Sequence, residues 1–167
     1  MNTKWSAVAS LSALGCVLLS FGGCPWATTG GTMLTLAHWG VDFSTGAVGD
    51  PVTGDVADSD GAIITWTPLP SNRVDSDTEV WFRPDSNTAT ENFISDMGAV
   101  ALSSVTTIPA EWDGGPGQDL PALQVDHVYV VKCLDGYAKF LVTATRVTPD
   151  WEADVEYVYT SGTTFAN

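Results

Sequence analysis

Val128-Tyr129-Val130-Val131-Lys132-Cys133-Leu134-Asp135-Gly136-Tyr137-Ala138-Lys139-Phe140 decides the fold class. Two runs of β-branched and aromatic residues flank Asp135-Gly136, a dipeptide suited to a type I′ hairpin turn. A two-residue loop there pairs Leu134 with Tyr137, Cys133 with Ala138, Val131 with Phe140, Tyr129 with Val142 and His127 with Ala144. One face then carries His127, Tyr129, Val131, Cys133, Ala138, Phe140, Val142 and Ala144, and is largely apolar. The other face opposes Lys132 to Lys139, a repulsive pair unless acids lie beside it. Glu152, Asp154 and Glu156 alternate with Ala153, Val155, Tyr157 and Tyr159, so a third strand brings those acids next to Lys139. A three-stranded antiparallel meander is expected.

Working outward, β-rich runs recur at 33–39, 62–67, 79–83, 98–107, 127–134, 137–146 and 152–160, between clusters of Gly, Pro, Asp and Asn. One helical turn is expected around Thr90 to Met97. The expectation is a single all-β domain over 33–167, antiparallel and ending in the meander. With 167 residues, 44% of them hydrophobic, the chain suits one domain with a sizeable core. Its net charge of −14, from 20 acids against 6 bases, excludes a sequence-independent nucleic-acid binder, which needs Lys and Arg to displace phosphate counterions.

The amino terminus reads as an address. Lys4 precedes an apolar run from Trp5 to Phe21, short for a membrane span and interrupted by Ser10, Ser12 and Ser20. Ser20-Phe21-Gly22-Gly23-Cys24 resembles a bacterial lipobox. That resemblance implies a signal peptide over 1–23, lipid on Cys24 and a tether reaching residue 32. Two or more acyl chains hold a protein stably on a membrane. The expected location is therefore a bacterial membrane, facing the cell surface or the periplasm. Cys16 leaves with the signal and Cys24 carries lipid, so Cys133 has no disulfide partner.

The meander also resembles a family. Tyr129 to Lys139 is similar to the "Y-x-[IV]-x-T-x-D-G-[KR]-Y-A-K" stretch of HmuY-like lipoproteins, with the residue before the Tyr missing. Val155-Glu156-Tyr157-Val158-Tyr159 looks like that family's last strand, and Trp39 to Val48 like its opening strand and turn. Asp77 to Phe82 stands where the family has "D-W-D-[IL]-A-F", with Thr78-Glu79 in place of Trp-Asp. The resemblance implies a surface β domain that captures haem between two axial ligands. Donors of the usual kinds are His38, His127, Met33, Met97 and Cys133.

Other features point to different ligands. Strand parity puts Trp81 on the polar face with Glu79 and Arg83, where it can stack on a sugar ring or another flat molecule. Trp112, in Glu111-Trp112-Asp113-Gly114, is a loop aromatic beside carboxylates. Asp58-Ser59-Asp60-Gly61, preceded by Asp55, resembles half of a calcium loop but lacks its closing Glu. No GxSxG, HExxH, P-loop, GxGxxG or CxxC motif occurs, so the reading is non-enzymatic. Haem capture and an interaction module for polysaccharide or a partner protein are the two functional expectations.

Overall fold

The computed structural model describes residues 31–65, 75–84, 93–114, 120–148 and 150–165. The signal segment, Cys24 and most of the tether lie outside the described residues. The fold is all β, in two antiparallel sheets. Chain order is β1 (Thr32–Ala37), β2 (Val41–Asp42), β3 (Ala47–Val48), β4 (Gly61–Ile64), β5 (Trp81–Pro84), β6 (Ile94–Asp96), a 3-10 turn at Leu102–Ser104, β7 (Val128–Lys132), β8 (Tyr137–Arg146) and β9 (Glu152–Thr160). One sheet runs β1-β9-β8-β7-β6 and the other β3-β2-β4-β5. Among the described residues no helix is long and apolar enough to cross a membrane.

The five-stranded sheet is covered on both faces, which explains why Val128 to Val131 is an unbroken apolar run rather than an alternating one. Tyr129, Val131, Phe140, Val142 and Val155 meet Phe43, Ile63 and Phe82 of the smaller sheet in one core. Phe43 is the hub, with ring centroids 5.9 Å from Phe82, 5.8 Å from Phe140 and 5.4 Å from Tyr157. On the opposite face, Val128 and Val130 are covered by Leu102, Val105 and Phe165. Lys139 lies under that cover. Its Nζ donates to the Val105 carbonyl at 2.8 Å and sits 5.2 Å from the Phe165 ring, and burial lowers its pKa.

The meander forms with its inner face as expected, but its register differs by two residues. Val131 opposes Ala138, Tyr129 opposes Phe140, Lys132 opposes Tyr137 and Val130 opposes Lys139. A slip of two keeps every side chain on its face. The connection spans Cys133 to Gly136, with Cys133 N donating to Gly136 O at 2.9 Å. Neither Asp135 nor Gly136 has a positive φ, so this is not a type I′ turn. Tertiary bonds hold it instead: Tyr159 Oη donates to the Asp135 carbonyl, and Leu134 N donates to Asp60.

The acids of β9 do not answer Lys139. Glu152 and Asp154 pair with Arg146, while Glu156 is buried and accepts from Gly31 N at 3.1 Å. Two element assignments also change. Residues 98–107 are an irregular cover with the 3-10 turn, because Leu102 and Val105 pack down onto β7 rather than extending an edge. Ile94–Asp96 is a strand against β7, where a helical turn was expected; Thr90 to Asn92 lie outside the described residues. The expected 62–67 strand is Gly61–Ile64, with Trp66 and Thr67 outside the described residues, and the 79–83 strand is Trp81–Pro84.

Cys133 is buried in the main core. Burial raises its thiol pKa, and the nearby Asp60 carboxylate raises it further. Cys133 is expected to react slowly with thiol reagents in the native protein and rapidly in urea. Rapid labelling of the native protein would contradict the burial.

Candidate functional site

The candidate residues fall in separate places. His127 lies just before β7, with its backbone opposite Val142 rather than Ala144. Its Nδ1 is 3.0 Å from both Asp96 carboxylate oxygens, so the ring closes the β6–β7 edge. Trp81 is 5% exposed, not the outward aromatic that parity suggests. The segment at Ala122 and Leu123 pairs alongside its strand, with Ala122 bridged to Trp81 and Leu123 N bonded to Val80 O at 2.8 Å. Trp112 stacks between Phe93 and Tyr137, at 5.8 and 6.5 Å. Met33 is exposed on β1, whereas Met97 packs against the second core.

The three aspartates do not converge on a cation. Asp55 and Asp58 are exposed, Asp58 with a φ of 57°. Asp60 is 1% exposed and turns inward, accepting from Phe43 N at 2.8 Å and Leu134 N at 2.9 Å. Burial raises its pKa and the two N–H bonds act against that rise. Among the described residues no group of three or more His, Cys, Asp or Glu is arranged to hold a metal ion.

His38 is placed differently. It follows β1 in the turn His38-Trp39-Gly40, where Gly40 takes a φ of 90° close to the Ser59 hydroxyl. Val56 N donates to the Trp39 carbonyl at 3.0 Å and Gly49 N to that of Gly40 at 3.1 Å. The turn is thereby fixed against two loops. Because β1 pairs with β9, and Ala37 opposes Glu152, Asp150 and Trp151 arrive beside it. The His38 ring lies 4.3 Å from the Trp39 ring and 5.5 Å from that of Trp151, which is 36% exposed. His38 Nδ1 is out of solvent and has no hydrogen-bond partner among the described residues.

His38 and Trp39, but not Trp151, line a cleft of about 270 Å³ whose charged members are Asp50, Asp150 and Glu152. Asp50 is preorganised: its carboxylate accepts from Val52 N, Thr53 N and Thr53 Oγ1 at 2.7–2.9 Å. Those bonds, the Thr53 hydroxyl first, hold its pKa below the ordinary value. Arg146 Nε donates to Glu152 at 2.9 Å. Trp39 and Trp151 were not singled out from the sequence. Their only sign there is a position beside His38 and Asp150, at opposite ends of a long chain.

The haem donors do not assemble. His38 is the one His, Met or Cys in this cleft, His127 is held by Asp96, and Cys133 is in the core. The residues present therefore do not fit a haem held between two axial ligands. No family model, curated protein or solved structure matches the chain.

Proposed function

We propose that the chain is a non-enzymatic ligand-binding module of a bacterial cell surface, anchored by lipid on Cys24, and that it takes a neutral sugar in the cleft at His38. The supporting observation is an aromatic wall of His38 and Trp39 beside three carboxylates, which Trp151 extends past the cleft. An indole offers an apolar face to the C–H side of a sugar ring, and carboxylates accept strong hydrogen bonds from its hydroxyls. A charge of −14 and acidic walls oppose anionic polymers and the propionates of haem. Haem capture, the second reading, rests on His38 alone, whose Nδ1 lacks a partner among the described residues.

The test is a neutral-glycan array probed with the mature protein in a non-glycosidic detergent. Binding is expected, and Trp39→Ala should weaken it roughly tenfold while leaving the melting curve in place. Failure of every neutral glycan, with a Soret band on adding haemin that is lost in His38→Ala, would replace the sugar reading by the haem one. The anchor is checked by the mass of the mature amino terminus, which should show acylated Cys24; a free Cys24 thiol would refute it.

A further inference from the structure

Two more clefts border the same aromatic wall. One of about 130 Å³ shares His38 and Trp39 and continues to Asp55, Ser59 and Arg83. Another of about 360 Å³ begins at Trp151 and continues to Thr65, Asp75, Ser76 and Asp77. We infer that the three clefts are successive subsites for a linear neutral glycan, so that the ligand is a polysaccharide segment rather than a single sugar. This rests on the sugar reading of the first cleft and extends it.

Continuity carries the inference. His38 and Trp39 belong to the first and second clefts, and the Trp151 ring, 5.5 Å from His38, separates the first from the third. A chain laid along this wall meets aromatic faces in the middle and polar side chains in every cleft. That alternation suits a polymer whose rings present C–H faces and hydroxyl edges in turn. Size is compatible: the clefts at 130 and 270 Å³ fall below the roughly 300–1,000 Å³ of ordinary ligand pockets, the third at 360 Å³ lies at its lower end, and the run of three stays within it. The chain elements forming the wall are also fixed, by the β1–β9 pairing and by the bonds to Trp39 and Gly40, so little ordering is needed on binding.

The experiment titrates the mature protein, in a non-glycosidic detergent, with cello-, malto- and xylo-oligosaccharide ladders from a single sugar to about six rings. For the class that binds, Kd is expected to fall about tenfold or more along the ladder and then level off. Trp151→Ala should flatten the ladder, bringing long chains down to the affinity of short ones while short chains bind as before. An affinity independent of length would overturn the run of subsites and leave the single-cleft sugar reading standing. So would a Trp151→Ala variant that weakens every rung equally, because Trp151 would then serve the first cleft alone. No binding by any rung, with the array also blank, would remove both readings together.

Discussion

Replacing Asp60 by alanine is expected to destabilise the fold by about 3–5 kcal/mol. Asp60 is 1% exposed and its two carboxylate oxygens accept from Phe43 N and Leu134 N. Phe43 follows β2 in the smaller sheet, and Leu134 lies in the β7–β8 connection of the larger one. One side chain therefore joins the two layers at the edge of the aromatic core. Each hydrogen bond to a charged group contributes roughly 1.5–3 kcal/mol, and its loss leaves a buried N–H without a partner. Against a typical total of about 5–15 kcal/mol, that is a large share. Asp60→Asn keeps one acceptor but turns a donor toward the second N–H, so an intermediate loss of about 2 kcal/mol is expected. Urea melts of the three proteins check this; an unchanged midpoint in Asp60→Ala would mean that the carboxylate does not bridge the sheets.

The same group sets a pH signature. Burial, the largest influence, raises the Asp60 pKa above 3.8 despite the two N–H bonds. The native state therefore holds this proton to higher pH than the unfolded state does. By linkage, its contribution is greatest below 3.8 and diminishes as pH rises through the folded value. Asp154 has the opposite sign. Its hydrogen bond from Arg146, the leading cause, lowers the pKa, so its contribution is present above 3.8 and fades as pH falls through the folded value. The stability gap between wild type and Asp60→Ala should thus narrow from acidic toward neutral pH, whereas the gap to Asp154→Asn should widen.

The sequence revealed strands wherever burial left a periodic mark. Ala153 and Val155 alternate with Glu152 and Asp154, and β9 follows that pattern as far as Val155, beyond which Glu156 is buried as well as Tyr157. Register was not legible, because Tyr159 and Asp60 hold the β7–β8 connection from outside it, and a local turn preference contains no trace of them. The stretch 98–107 reads as a strand for a related reason. Val100, Leu102 and Val105 are apolar because they cover β7, and covering a sheet does not require joining it. Asp60 reads as part of a solvated acidic loop, yet its place directly before Gly61-Ala62-Ile63-Ile64 was a sign of an inward turn. The site was the least legible part. Thr35 bonds Asp154 across 119 positions of chain, and only that long-range β1–β9 pairing brings Trp39 and Trp151 to one His38.

Gly136 is the position where sequence and structure agree on the outcome and differ on its cause. A type I′ turn would need glycine for its positive φ, and asparagine would then substitute at little cost. The φ of Gly136 is not positive; the need for glycine is steric. A Cβ there would overlap the Thr160 carbonyl oxygen and lie 2.6 Å from Tyr159 Oη. The Tyr159 hydroxyl cannot simply swing away, because it donates to the Asp135 carbonyl at 3.0 Å and to its carboxylate at 2.8 Å. Thr160 is backbone, paired with Tyr137 at the end of β9. Any side chain must therefore push β9 from β8 or break the Tyr159 contact, at about 2–3 kcal/mol for alanine and more for valine. Asparagine should be as damaging as alanine, since both carry the same Cβ. Melts of Gly136→Ala, Gly136→Asn and Gly136→Val separate the two causes. If asparagine proves clearly milder than alanine, the left-handed turn is restored as the explanation; if all three unfold early and valine earliest, it is the close approach of β9 that reserves this position for glycine.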